Sequence, residues 1–239
     1  MSGIGVLREG PLHAAVKDLL ARPGDRAEVR VDGFVIDLVR ADGELVEIQT
    51  GGFSPLGRKL DALLDRHRMR IVVPLPGERR IVRVDDQGEV LSARRSPARA
   101  TPLDVFDRLV SFPSLLAHPN LTVEVLLCRE DHVRGPEAGR SRSGRRRRDP
   151  GERRLVDVLE RVELAGPRDA AALLPAQLGA EPFTTRELAA ALGCRIVLAQ
   201  RVAYCLRALD VLEDAGRRGP APLHRVNGQP PRAAGRRSR

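Results

Sequence analysis

Two short apolar runs near residue 40 each carry one acidic side chain, and this pairing constrains the fold more than any other feature. Gly33-Phe-Val-Ile-Asp37 and Glu44-Leu-Val-Glu47-Ile-Gln49 are rich in β-branched residues and predict strands. Ala41-Asp-Gly43 between them predicts a hairpin turn. A carboxylate within an apolar strand is costly unless a partner compensates its charge, and a divalent metal is one such partner.

Length, cysteine usage and hydropathy restrict the class of protein. The 239 residues suffice for one large domain or two small ones. Cys128, Cys194 and Cys205 lie in apolar runs without paired spacing, which indicates buried free thiols in a reducing compartment. No apolar run reaches the length of a membrane span, and the first residues do not form a signal peptide. We therefore expect a cytoplasmic protein with no membrane partner.

The positive charge is concentrated in two segments. The net charge is +9, and the basic excess lies in residues 134–154 and 217–239. Such blocks suit the phosphate backbone of DNA, because binding releases counterions. The run of Arg145, Arg146, Arg147 and Arg148 is either a phosphate clamp or a solvated loop.

Lysine is rare in this chain. Among the 41 basic residues only Lys17 and Lys59 are lysines. In so strong an arginine bias, a retained lysine suggests that an ammonium group does something a guanidinium cannot. Neutral survival of the two lysines is the alternative.

Periodicity, capping and turn signals predict the element order α-β-β-β-α-β, followed by a hairpin, a helix and a strand. The predicted helices are 7–21, 54–66 and 103–117, and the predicted strands are 27–31, 34–39, 44–49, 69–75, 81–84, 89–91 and 121–128. Residues 134–152 predict an Arg-rich loop or linker. Residues 153–164 are compatible with a strand or a helix, and we favour the helix. Residues 227–239 predict a basic disordered tail.

This order, with Asp37 and Glu47-x-Gln49 on paired strands, resembles the PD-(D/E)xK nuclease superfamily over residues 5–130. The resemblance implies an α/β fold in residues 1–133, a restriction-endonuclease-like mixed sheet flanked by helices. It also implies that Glu9, Asp37 and Glu47 hold Mg²⁺ (or Mn²⁺), which generates the attacking hydroxide. Two structural alternatives remain. Glu9 could be an acid favoured by the helix dipole near the start of the first helix, and Asp37 could be a strand residue that faces solvent.

Gln49 departs from the motif, which usually has lysine at that position. The resemblance suggests that the following helix can supply the lysine instead, and Lys59 is the candidate. If Lys59 points to solvent, the site binds metal and DNA without cutting. His13 lies four residues after Glu9, so both occupy one helical face. It could contact the substrate, or it could be a solvated or packed histidine with no role in the site.

Residues 182–226 resemble a winged helix-turn-helix, and the predicted second domain is residues 153–226. Thr184-Thr-Arg-Glu187 is a capping box that begins a short helix. Gly193 makes the turn, and residues 195–209 occupy the recognition-helix position. Gly216-Arg-Arg-Gly219 forms the wing tip.

The predicted DNA contacts of this domain follow from that resemblance. The side chains available to a major groove are Arg195, Gln200, Arg201 and Tyr204, and the wing-tip residues Arg217 and Arg218 could grip phosphates. Val197 and Leu198 make the same face partly apolar, so packing on protein is the alternative.

The sequence therefore favours a metal-dependent DNA endonuclease or resolvase-like phosphodiesterase with a DNA-docking winged helix. The alternative is a non-catalytic DNA-binding or regulatory protein with a degenerate nuclease fold, which Gln49 favours. A protein-interaction scaffold is a third option. DNA is the expected partner, and a homodimer is left open.

Overall fold

A computed structural model of the protein describes residues 10–136, 151–178 and 181–228. These residues form two compact units. Within the described ranges, the first unit contains residues 10–51, 66–102, 124–136 and 151–162, and the second contains residues 52–65, 103–123, 163–178 and 181–228. Glu9, the Arg145–Arg148 run and the predicted tail beyond residue 228 lie outside the described residues.

A seven-stranded mixed sheet forms the centre of the first unit. Its strands are β1 (Arg26–Val31), β2 (Phe34–Val39), β3 (Leu45–Ile48), β4 (Met69–Val84), β5 (Val90–Arg95), β6 (Leu121–Arg134) and β7 (Glu152–Leu164). The strand order is β1-β2-β3-β4-β6-β7, and β5 pairs with β4. The β1–β2 and β2–β3 pairs are antiparallel, whereas β3 and β4 are parallel. The fold class is therefore α/β, as predicted.

Helix α1 (Pro11–Leu20) packs against this sheet. Pro11 occupies the first turn, where its missing N–H breaks no helical hydrogen bond. Leu12, Val16 and Leu20 recur every four residues and are buried. They share one core with Leu38, Val46, Ile48, Val72, Leu126 and Cys128. Burial of each aliphatic side chain contributes about 1.5–3 kcal/mol, so this core holds α1 on the sheet.

The connection from β3 to β4 contains helix α2 (Gly57–Leu63), which belongs to the second unit. Parallel neighbours require such a crossover connection. The predicted order α-β-β-β-α-β is thus present. The predicted helix 54–66 is shorter than expected, because Ser54–Leu56 form a 3-10 turn and the α-helix ends at Leu63.

Strand β4 joins two predicted strands, 69–75 and 81–84, into one. The strand contains Pro74 and Pro76, which cannot donate ladder hydrogen bonds. β3 pairs with β4 only as far as Val72 and β5 only from Arg80, which leaves both prolines outside these two ladders. The prolines lie between these limits, where neither strand needs their N–H groups.

The predicted helix 153–164 is wrong, because residues Glu152–Leu164 form strand β7 at the edge of the large sheet. Leu155 and Val158 pack against the core of the first unit. Pairing with the long strand β6 supplies the backbone hydrogen bonds that an isolated helix would have made internally. Residues up to 162 therefore belong to the first unit, and residues 134–152 connect two strands of one sheet, not two domains.

The single predicted helix 103–117 is also wrong. The structure has a 3-10 turn at Pro102–Val105, a short helix α3 (Phe106–Leu109) and another 3-10 turn at Leu115–Ala117. Pro113 accounts for the interruption, because it cannot donate a helical hydrogen bond and disfavours helical backbone at the residue before it.

The C-terminal part of the second unit combines helices α4 (Pro167–Ala172), α5 (Thr185–Ala191) and α6 (Ile196–Ala208) with a small sheet. That sheet has the order β8-β10-β9, formed by β8 (Phe183–Thr184), β9 (Leu212–Arg218) and β10 (Ala221–Val226). The predicted capping box is confirmed: Thr184 Oγ1 accepts from the Glu187 N–H at 3.2 Å, and the Glu187 carboxylate accepts from the Thr184 N–H at 2.7 Å. Gly193, with φ of 60°, lies in the turn between α5 and α6.

Among the described residues, no single helix is long and apolar enough to cross a bilayer. The pair α5–α6 meets that length and composition only when the two helices are taken together, across a bend of 108°.

Candidate functional site

Asp37 lies at the end of the antiparallel ladder between β2 and β3. It lies one residue beyond the paired residues Leu38 and Val46. Its Oδ2 atom accepts a hydrogen bond of 2.7 Å from the backbone N–H of Ile48 and lies 3.1 Å from His13 Nε2. The carboxylate thus substitutes for a backbone acceptor, which fixes its position and satisfies a donor beside the core.

Glu47 is the second predicted acid, and the structure places it next to Asp37. The β2–β3 register, extended by one residue, sets the two acids opposite each other. Glu47 is only 6% exposed, although it is ionisable. Gln49 follows the end of β3, where its N–H donates to the Val72 carbonyl at 2.8 Å. The predicted strand acids and Gln49 are therefore together in one unit.

A third acid, Glu28, lies in the same row and was missed by the sequence analysis. The pairs Ala27–Leu38 and Val29–Ile36 flank Glu28 and set it opposite Asp37. Glu28 has φ of 54°, a left-handed conformation that costs a non-glycine residue about 1–2 kcal/mol. Such strain within a strand is typical of functional positions. We call Glu28, Asp37 and Glu47 the acid row.

Helix α1 presents two basic side chains to the acid row. The Lys17 side chain is 13% exposed, and its Nζ donates to Glu28 Oε1 at 2.9 Å. His13, one turn earlier on the same helical face, contacts Asp37. The i, i+4 spacing of these two residues and the rarity of lysine were the signals available in the sequence.

The two remaining predicted nuclease residues, Glu9 and Lys59, are not among the described residues of the first unit. Glu9 lies outside the described residues. Lys59 is half-buried on α2, in the second unit. In the described part of the chain, no group of three or more His, Cys, Asp or Glu side chains is arranged to hold a metal ion. Of the three predicted ligands, Asp37 and Glu47 are described, both in the first unit.

Two of the predicted recognition-helix arginines contact another element of the second unit. Arg201 Nη1 lies 2.7 Å from Asp107 Oδ1 on α3, and Arg195 Nη2 lies 3.9 Å from Asp107 Oδ2. Gln200 and Tyr204 are exposed on α6. Arg195 and Arg201 therefore face a carboxylate of the same unit, whereas Gln200 and Tyr204 are exposed to solvent.

The two wing-tip arginines also differ. Arg217 is exposed and donates to the Pro220 carbonyl at 2.9 Å. Arg218 donates to Glu187 Oε1 at 2.6 Å, which ties the β9–β10 hairpin to the N-terminus of α5. The backbone N–H of Thr184 and the Arg218 guanidinium lower the pKa of Glu187.

A groove of about 530 Å³ runs beside the exposed face of α6, lined by Gln200, Tyr204 and Arg207 from the helix and by Pro222 and His224 from β10. His224 is 4% exposed. Its Nε2 lies 3.0 Å from Thr185 Oγ1, while its buried Nδ1 has no hydrogen-bond partner among the described residues. Burial, with a smaller effect of Arg207, lowers the pKa of His224. The groove thus combines an exposed aromatic ring with polar side chains.

Comparison with known proteins gives one family match. The sequence model of the family described as "Domain of unknown function (DUF8091)" matches residues 10–165. The chain belongs to this family. The DUF8091 match contains α1, the whole large sheet and the acid row, and it ends one residue after β7.

One curated relative extends the comparison. The chain is 31% identical over 140 residues to an "Uncharacterized protein" of Treponema pallidum (strain Nichols). The aligned part covers 58% of this chain and 56% of the relative, so the match spans little more than half the length of either protein. No solved structure matches the DUF8091 chain at a significant level.

Proposed function

We propose that this DUF8091 protein is a metal-dependent DNA nuclease of the PD-(D/E)xK type, with Asp37 and Glu47 as its central acids. The observation that carries the proposal is the position of Asp37 and Glu47 on the adjacent strands β2 and β3, each one residue beyond the last ladder pair, where the Asp37 side chain accepts the Ile48 N–H. The order α1-β1-β2-β3-α2-β4, with β3 parallel to β4, supports the same superfamily.

The donor set suits a hard divalent cation. Carboxylate oxygens are the ligands that Mg²⁺ and Mn²⁺ prefer, and Asp37 and Glu47 would hold the ion, with Glu9 as the third predicted ligand. When bound, the ion would supply a water of lowered pKa and neutralise charge on the phosphate. The Ile48 N–H and His13 orient the Asp37 carboxylate before any ligand arrives, which is the preorganisation that a reacting site needs.

Lys17 is the side chain we assign to the role that the motif gives to lysine. Gln49 carries no charge, and Lys17 is the only lysine among the residues of the first unit. Its ammonium bonds to Glu28, directly across from Asp37. It would stabilise the negative charge that develops on the scissile phosphate during cleavage. Lys59, the residue favoured by the resemblance, is the competing assignment.

We further propose that β8, α5, α6 and the β9–β10 hairpin form a winged helix-turn-helix that docks DNA. Gln200 and Tyr204 are exposed on α6, beside Arg207, and offer hydrogen bonding, stacking and charge to one ligand. Arg201 and Arg218 have a smaller role, because both are engaged by carboxylates of the same unit.

The test of the nuclease is cleavage of supercoiled, linear and branched DNA with and without Mg²⁺ or Mn²⁺. Asp37→Asn and Glu47→Gln each remove one charge at nearly constant shape, and Asp86→Asn, in an exposed turn, is the matched control. We expect metal-dependent cutting that falls more than about 100-fold in both site variants, beyond the usual cost of replacing a residue that only orients a metal ligand. Cutting that survives both substitutions would refute the assignment.

The same assay compares the two lysines. Lys17→Ala should reduce cleavage at unchanged DNA affinity, and Lys59→Ala should not. Reduced cleavage in Lys59→Ala, but not in Lys17→Ala, would assign the role of the motif lysine to Lys59.

A non-catalytic nucleic-acid-binding protein is the second candidate. Gln49 in place of lysine favours it, as does the absence of a three-ligand metal group within the described ranges. Metal-independent DNA binding without cleavage, unchanged in Asp37→Asn and Glu47→Gln, would establish this alternative.

A further inference from the structure

A second concentration of charge lies in the first unit, on β4, β5 and β6. A pocket of about 270 Å³ is lined by five arginines and two carboxylates, with Ser96 and Val156 completing its wall. We call it the arginine pocket; its charged residues used below are Arg80, Arg95, Arg99, Arg129, Glu78 and Asp131. No local motif in the sequence marks these residues, because they are spread over some fifty residues.

Three of the five arginines of the pocket are held in place by carboxylates, and one of them, Arg79, is paired with the buried Glu130. Arg80 donates to both oxygens of Asp131, at 2.9 and 2.5 Å, and Arg129 donates to Glu78 at 2.9 Å. These pairs raise the pKa values of the Arg80 and Arg129 guanidinium groups, which stay charged. Their planar donor groups are therefore oriented before a ligand binds.

The other two arginines supply the excess charge. Among the described residues, neither Arg95 nor Arg99 forms a hydrogen bond or an ion pair through its side chain. Both nevertheless lie close enough to Glu78 to lower its pKa, behind the larger effect of the Arg129 hydrogen bond. With Arg79 paired to Glu130, the other four arginines face only Glu78 and Asp131, which leaves the pocket with a net positive charge.

The backbone of the pocket keeps like charges together. Arg80 and Arg95 are directly opposite each other on the antiparallel strands β4 and β5. Like charges in this position repel each other, and Asp131 compensates the charge directly only at Arg80. The Ser96 N–H donates to the Arg79 carbonyl at 2.8 Å, and the Ala100 N–H donates to the Pro76 carbonyl at 2.9 Å. These bonds hold the segment that carries Arg99 against β4.

We propose that the arginine pocket binds a phosphate group of a DNA backbone, at a site separate from the acid row. Guanidinium groups bind phosphate oxygens in a two-pronged geometry, and the pocket is smaller than typical sites for whole cofactors. With Val156 as its one aliphatic lining residue, it offers little surface on which a base could stack. That the phosphate belongs to DNA rests on the proposed function, whereas phosphate binding itself does not.

The test uses the full-length protein in EDTA, so that no cleavage occurs. Binding of a labelled DNA duplex is measured by fluorescence anisotropy over a series of salt concentrations, for Arg95→Gln/Arg99→Gln and for Arg83→Gln/Arg94→Gln. The second pair is a matched control, because it removes the same charge from exposed residues of β4 and β5 that do not line the pocket. Thermal melts confirm that both variants fold.

We expect the pocket variant to bind DNA at least about 10-fold more weakly, with a salt dependence reduced by about one unit of slope for each phosphate that the protein no longer neutralises. The control should change affinity by less than about threefold, since it alters only the general field. Equal reductions in the two variants would overturn the proposal.

A second arm distinguishes the source of the phosphate. Inorganic phosphate is titrated by calorimetry into the wild-type protein and the pocket variant. Phosphate binding that depends on Arg95 and Arg99, with unchanged DNA affinity, would overturn DNA as the ligand. Pocket-dependent DNA binding in a protein that does not cut DNA would support the pocket and refute the nuclease, so the two failures are distinguishable.

Discussion

The Asp37 carboxylate accepts a 2.7 Å hydrogen bond from the backbone N–H of Ile48 on the adjacent strand. One side chain therefore has two duties. It completes the hydrogen bonding of a buried strand, and it holds a negative charge beside Glu47 and Glu28. A substitution that keeps the hydrogen-bond acceptor at residue 37 but removes the negative charge can measure these two roles independently.

Asp37→Asn should affect stability and activity differently. The asparagine keeps an oxygen that can accept from Ile48, so the free energy of unfolding should fall by less than about 1 kcal/mol, whereas Asp37→Ala leaves that N–H unsatisfied and should cost about 1–3 kcal/mol. Urea denaturation measures both values. Equal losses of stability for the two variants would show that the Ile48 bond does not stabilise the fold.

Glu130 should be far more sensitive than its neighbour Asp131. Its side chain is fully buried, where Arg79 and Arg153 both donate to its carboxylate at 2.7 Å. Glu130→Gln leaves two guanidinium groups without their counter-ion. We expect stability to fall by about 2–3 kcal/mol in urea denaturation, somewhat below the cost of breaking a completely buried pair, because both arginines are about a quarter exposed.

Asp131→Asn is the control for Glu130→Gln. It weakens only the exposed pair with Arg80, and should cost less than about 1 kcal/mol. A Glu130 variant as stable as the Asp131 variant would contradict the prediction.

The three cysteines should react with a thiol reagent in a fixed order. Burial raises the pKa of Cys128 to about 11 and that of Cys205 to about 12. Cys194 is partly exposed, and burial raises its pKa as well. At pH 8 the native protein should therefore label first at Cys194, and at Cys128 and Cys205 only on unfolding. Mass spectrometry identifies the sites, and Cys194→Ser should abolish the early reaction.

Acid should destabilise the C-terminal part of the second unit through His224. Burial lowers its pKa below the ordinary value of 6.5, so the unfolded chain takes up the proton more readily than the folded protein does. The stabilising contribution is complete above about pH 6.5 and is lost as the pH falls towards the folded-state pKa. Melting temperatures at pH 7.5 and 5.5 should differ more for the wild type than for His224→Gln. An identical acid shift in both proteins would contradict this.

Arg201 should contribute less to DNA binding than its place on α6 suggests. It is paired with Asp107, and a double-mutant cycle of Arg201→Ala and Asp107→Ala should give a coupling of about 0.3–1 kcal/mol for this partly exposed pair. Tyr204→Ala should weaken DNA binding more than Arg201→Ala in anisotropy titrations, because its exposed ring can stack on a base. The opposite ranking would place Arg201 at the interface.

The sequence by itself determined the local elements. β-branched runs and the turn at Ala41-Asp-Gly43 predicted β2 and β3, and the Thr184–Glu187 capping box predicted the start of α5. It also predicted that Asp37 and Glu47 lie on neighbouring strands. These features depend on contacts between residues close in the chain, which periodicity and capping describe well.

Only the tertiary structure decided the features that depend on distant contacts. Residues 153–164 fit either period in isolation, and pairing with β6 made them a strand. Strand pairing brought Glu28 into the acid row and Arg95 beside Arg80, and the hydrogen bond from Ala100 to Pro76 brought Arg99 to the same pocket as Arg129. The physical reason is that a sheet assembles side chains from residues far apart in the chain, and no local pattern in the sequence records those pairings.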